Sequence, residues 1–168
     1  MVARGLSRRG LLGAMAAAAA CPSVLAAGDV VDLEWDDLMP EGPASVAETF
    51  LGLLEHDEWG PPAQQPVSTG VLTDWNGMVV RLPGFVIPLE YRGTGVSAFI
   101  LAPFVGACIH VPPPPANQLV YVTTERPYQS SGLFEPVRVT GELGTAPTAT
   151  ELAEIGYTLR AESIEPYS

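Results

Sequence analysis

The sequence predicts a mainly β fold: a small, five-stranded, OB-like, partly open barrel with one or two short helices, preceded by a signal segment. Three observations carry this. Five separate runs of apolar and β-branched residues lie between Asn76 and Tyr167, with turn residues between them. The first run is long and has Pro83-Gly84 in its middle, as the bent opening strand of an oligonucleotide/oligosaccharide-binding barrel does. The helical periodicity is confined to one or two short stretches. An immunoglobulin-like sandwich is the alternative, and it needs about seven strands.

Taken in order, residues 1–26 read as a signal peptide. Arg4, Arg8 and Arg9 precede the uncharged run Gly10 to Ala20, which is too short for a bilayer core that needs roughly 20 residues. Ser7-Arg8-Arg9-Gly10-Leu11-Leu12 has the form of a twin-arginine export signal, and Val24-Leu25-Ala26 suits cleavage after Ala26. Lipid attachment at Cys21 is the competing end-point. An exported protein of the periplasm or cell envelope is therefore expected, with no transmembrane span.

Residues 27–68 read as an arm, a helix and a linker. The arm alternates as Val31-Asp32-Leu33-Glu34-Trp35, with Trp35 as its anchor, and Ser45 with Glu48 caps a helix that ends near Glu55-His56. Residues 69–168 are the barrel. Its strands are expected over Met78 to Glu90 (with a bulge at Pro88), Val96 to Leu101, Gln118 to Val122, Pro136 to Leu143 and Tyr157 to Ile164. Thr150 to Ile155 is a second short helix candidate.

Charge excludes whole classes of partner. Beyond the signal there are five arginines, no lysine and all 19 acidic residues, a formal charge of −14. Nucleic acid binding depends on cations that release counterions, and anionic membrane surfaces need them too. Neither partner fits. With Cys21 removed or acylated, Cys108 has no intrachain cysteine to pair with.

One stretch is chemically distinctive: Gly106-Ala107-Cys108-Ile109-His110-Val111-Pro112-Pro113-Pro114-Pro115-Ala116-Asn117-Gln118. In extended chain, Cys108 and His110 point the same way, and proline holds its predecessor extended. Thiolate and imidazole suit zinc before copper, with His56 as the candidate third ligand and Glu90, Glu125, Asp57 and Glu58 as further donors. The prolines form a stiff rod, so Pro112, Pro113, Pro114, Pro115, Asn117 and Gln118 make a binding rim that a partner could dock without metal. Two other readings stand beside these. Cys108 as nucleophile with His110 as base lacks a visible orienting group and oxyanion hole, and no catalytic motif of another kind is present. Cys108 as a small buried apolar residue needs no function at all.

The segments Val80 to Glu90 and Phe104 to His110, with the proline run that follows, resemble an uncharacterised bacterial family of small exported proteins or lipoproteins, classed as a domain of unknown function. The resemblance spans roughly Asn76 to Tyr167, and its most specific part is the Cys-Ile-His-proline segment. Members often sit beside components of ABC-type transporters, sometimes in zinc-responsive gene groups. The resemblance implies an envelope protein linked to metal homeostasis or to a transporter; with the residues above, the expectation is a non-enzymatic accessory protein. It supplies no ligand set.

Overall fold

A computed structural model describes residues 29–40, 65–107 and 113–167. The signal segment and the helix expected from Ser45 lie outside the described residues. The described residues form eight strands: β1 (Val31–Asp32), β2 (Val79–Arg92), β3 (Gly95–Ala102), β4 (Val120–Tyr128), β5 (Pro136–Gly144), β6 (Thr148–Ala149), β7 (Glu154–Ile155) and β8 (Tyr157–Pro166). Five of them close a barrel in the order β2-β3-β4-β8-β5, with β5 returning to β2. The expected mainly β barrel is what forms. Its helical content among the described residues is two 3-10 turns, Trp35–Leu38 and Ala116–Gln118.

Closure depends on the length of β2. Val79 to Phe85 pair with β5, whereas Phe85 to Arg92 pair with β3, so one strand serves both neighbours by bending beside Pro83-Gly84. The register slips between Pro88 and Glu90, which is the bulge expected at a proline that cannot donate to the ladder. Strands β4 and β8 pair in parallel from Val120↔Tyr157 to Thr124↔Ala161 and then diverge. A groove of about 790 Å3 opens between them, so the ring is continuous but split at one side.

Alternation fills the interior. Val80 and Leu82 on β2, Phe99 and Leu101 on β3, Val120 and Val122 on β4, Val137 and Val139 on β5, and Tyr157 and Leu159 on β8 all point inward and are buried. The arm joins this same core. β1 adds to β2 in parallel, and Leu33, Trp35 and Leu38 pack among the barrel residues. The Trp35 indole N–H donates to the Pro83 carbonyl at 2.8 Å, so the expected anchor is in place at the bend. Each such fully buried large apolar side chain contributes about 1.5–3 kcal/mol. A second, smaller cluster covers the outer face of β3, with Ile87, Ile100 and Ala102 under Ala107, Leu119 and Ile155. β3 is therefore buried along its whole length.

One expectation is overturned. Thr150 to Ile155 is not helical: β6 and β7 form a small hairpin there. Thr150 makes the turn itself. Its amide donates to the Ala153 carbonyl at 2.9 Å, and its hydroxyl oxygen accepts from the amides of Leu152 and Ala153. A hydroxyl bonding the nearby backbone in this way competes with helix formation. No helix of the described residues is long and apolar enough to cross a membrane.

Candidate functional site at one end of the barrel

The chain reaches this end of the barrel through Ala107, which is fully buried in the second cluster. Cys108, His110 and Pro112 lie outside the described residues, as does His56. The chain's other cysteine, Cys21, lies outside them too, so the described residues contain no thiol and no imidazole. From Pro113 the backbone is again described. Pro113 and Pro115 are half-buried and Pro114 is buried.

A proline run has carbonyls to satisfy and no amide hydrogens to offer. Here a distant side chain supplies the donor. The Gln65 amide nitrogen donates to the Pro114 carbonyl at 2.9 Å and to the Glu154 carbonyl at 2.8 Å, while its oxygen accepts the Glu154 amide at 2.8 Å. Gln65 thus ties the run to β7. Pro115 (φ −53°, ψ 152°) leads into the 3-10 turn, closed by Gln118 N–H to the Pro115 carbonyl at 2.8 Å.

Asn117 and Gln118, expected on the binding rim, lie inside it. They are 2% and 1% exposed. Asn117 donates to the Thr69 hydroxyl at 3.2 Å, and the Gln118 amide nitrogen donates to the carbonyls of Trp35 (3.0 Å) and Asn117 (3.3 Å). The two amides therefore fasten the arm and the 65–77 segment beneath the prolines. The Gln118 Oε1 is buried with no hydrogen-bond partner among the described residues. Exchanging its oxygen and nitrogen would set an acceptor against two carbonyls, so the assignment stands.

Beside the prolines runs a groove of about 400 Å3, lined mainly by Val71, Ala116, Pro147 and Ile155, with Ser68 and Glu154 at its edge. Reading Thr150 to Ile155 as a helix hid this groove; the Ser/Thr turn signal at Thr150 was the available clue. Of the carboxylates weighed as remote ligands, Asp57 and Glu58 lie outside the described residues, and Glu90 and Glu125 sit elsewhere. Glu90 pairs in register with Ala98, and Glu125 lies beyond Thr123, which pairs with the same Ala98. Both are toward the β2–β3 turn, at the opposite end of β3 from Ala102 and the chain that leads to Ala107. Among the described residues no three His, Cys, Asp or Glu side chains converge as a metal site would require.

The perturbed titratable groups elsewhere belong to structural clamps. Burial would raise the Glu135 carboxyl, but the Ser131 amide and the Ser130 and Tyr128 hydroxyls outweigh it and hold it below its usual 4.5. Burial, aided by that carboxylate, pushes the Tyr128 phenol up to about 12. Together they fix the 129–135 loop, in which Phe134 has a φ of 59° and its amide donates to the Val86 carbonyl at 2.8 Å.

The chain is matched over residues 35–166 by a family model described as a protein of unknown function, DUF3299. No curated protein matches it. Among solved structures, the crystal structure of a DUF3299 family protein from Pseudomonas aeruginosa PAO1 is similar, with a TM-score of 0.67 and 36% identity. The likeness covers 84% of this chain and 98% of that one. The family match begins at Trp35, the residue that pins the arm to the bend in β2, and takes in the whole barrel, while β1 lies before it.

Proposed function

The chain belongs to the DUF3299 family, and from that premise we propose that it works by binding, as an exported, non-enzymatic accessory protein of the cell envelope. The best-supported site is the barrel end at the proline run, where it docks a protein partner. One observation carries this reading: Pro113 and Pro115 remain half-exposed although Gln65 and the 116–118 turn hold them rigidly, next to an apolar groove. Aromatic-lined grooves recognise such preformed proline segments at low entropic cost. A component of an envelope transporter is the partner class that the family resemblance suggests. Photo-crosslinking from position 113 in intact envelopes tests it. A crosslink to a transporter component that disappears in Pro115→Ser supports the reading, and crosslinking confined to bulk envelope proteins ends it.

A second reading has its own support. Ala107 and Pro114, the nearest buried residues before and after the Cys-Ile-His sequence, are both packed against the barrel end. Cys108 and His110, with His56 as third ligand, bind zinc in preference to copper in this reading. The check is metal analysis of protein purified without a histidine tag. Stoichiometric zinc that is lost in Cys108→Ser and in His110→Ala supports it; metal-free protein after exposure to micromolar zinc rules it out.

A further inference from the structure

A different face of the barrel carries a second candidate site. The outward side chains of β4, β8 and β5 fall in two rows set by the strand register. Thr123, Arg160 and Glu142 lie across from one another in one row, and Tyr121, Thr158 and Gly144 in the next. The second row ends in a glycine that packing explains: a Cβ at Gly144 would come within 2.7 Å of the Thr158 hydroxyl oxygen. A hollow of about 410 Å3 lies over these rows, with Tyr121, Gly144 and the Asn76-Gly77 turn in its lining. That size is within the range of small-molecule sites.

Its chemistry is selective. Arg160 and Glu142 form an ion pair and neutralise each other, so the hollow is locally neutral on a strongly acidic protein. Tyr121 is half-buried, with its ring packed on the second cluster. Asn76 commits its carbonyl oxygen to Thr145, and its side-chain nitrogen carries two N–H donors. A packed aromatic ring, N–H donors and a carboxylate acceptor, with no net charge, match the needs of a neutral polyhydroxylated ligand. Ionic ligands gain nothing there.

We propose that this hollow binds a neutral saccharide unit through Tyr121, Thr123 and Arg160. The site shares only Thr148 with the groove beside the prolines, so it stands independently of the docking function. The experiment titrates the mature protein with two uncharged probes, chitotriose and maltotriose, while backbone amide shifts are followed. Shifts centred on Thr123, Thr158 and Arg160 are expected with at least one probe, at an affinity indifferent to salt. Tyr121→Ala should abolish binding, whereas Tyr121→Phe retains it because the aromatic face is what the ligand stacks on. Thr123→Val, which keeps shape and removes one hydroxyl, should weaken binding about 5–10-fold, as loss of one hydrogen bond would. No shifts with either probe would overturn the proposal. So would shifts centred on another face, binding unchanged in Tyr121→Ala, or an affinity that falls steeply with salt.

Discussion

Replacing Tyr157 by phenylalanine should weaken the hold of the barrel on the arm and its neighbouring segment and lower the stability of the whole unit. The Tyr157 hydroxyl is fully buried; it donates to the Leu38 carbonyl at 2.8 Å and accepts the Leu72 amide at 2.7 Å. The ring remains in Tyr157→Phe, so apolar burial is unchanged and only these two bonds are lost. The Leu38 carbonyl stays buried without a donor, at a cost of about 1–3 kcal/mol, and the half-exposed Leu72 amide loses about 1 kcal/mol. The sum is about 2–4 kcal/mol, or about 8–16 °C in Tm for a domain of this size. Burial also raises the Tyr157 phenol above its usual 10.0, the Leu72 amide opposes that, and Asp74 reinforces it. The folded state therefore holds this proton more tightly than the unfolded chain. Stability from this source is complete below pH 10 and is lost as pH rises through the folded value, so Tyr157→Phe should flatten the alkaline limb of the stability profile. Urea unfolding from pH 7 to 11 measures both effects. Since Leu38, Trp35 and Tyr157 share one core, the midpoint should fall with no change in slope. A variant within about 1 kcal/mol of the parent, or one losing amide protection only at Leu72 with an unchanged midpoint, would refute the reasoning.

Three further outcomes are expected. Glu135 is held below 4.5 in the folded state, so its contribution is complete above that pH and lost as pH falls; Glu135→Gln should shallow the acid limb and speed amide exchange at Ser131 and Phe134. Gly141→Ala would drive a Cβ into the Arg160 carbonyl and to 2.9 Å from the Ala161 Cα. Because both are backbone, no rotamer relieves the clash, and urea denaturation should show a loss of about 3 kcal/mol or more, or no folded protein. Trp35→Phe removes the bond to the Pro83 carbonyl at the bend and should cost about 1 kcal/mol by the same denaturation assay, with β2 pairing intact.

Period-two alternation made the barrel legible. Alternation alone puts Val137, Val139 and Gly141 on one face, which is buried, and Pro83-Gly84 and Pro88 mark where β2 bends and bulges. The hairpin at β6 and β7 was not legible, because a short apolar stretch after Thr150 fits a helical turn and a Ser/Thr turn equally well. The site was harder still. Proline stiffness at 113–115 follows from composition, but the carbonyl of Pro114 is satisfied by Gln65, 49 positions away. Asn117 and Gln118 look like rim residues because amides are usually exposed. Only the tertiary placement of Trp35 and Thr69 reveals that they are internal fasteners.

The contact between Leu38 and Tyr157 joins residues separated by 119 positions. Strand β8 supplies both the phenol that ties down the arm and the edge that links β4 to β5. During synthesis, then, the earliest arm residues must wait until nearly the whole polypeptide has emerged before they find their resting place. Topologies so dominated by remote pairing fold slowly, in milliseconds to seconds. Until β8 arrives, Leu33, Trp35 and Leu38 remain available to chaperones or other handling factors, and a ribosome stalled ahead of Tyr157 would hold a barrel that cannot close.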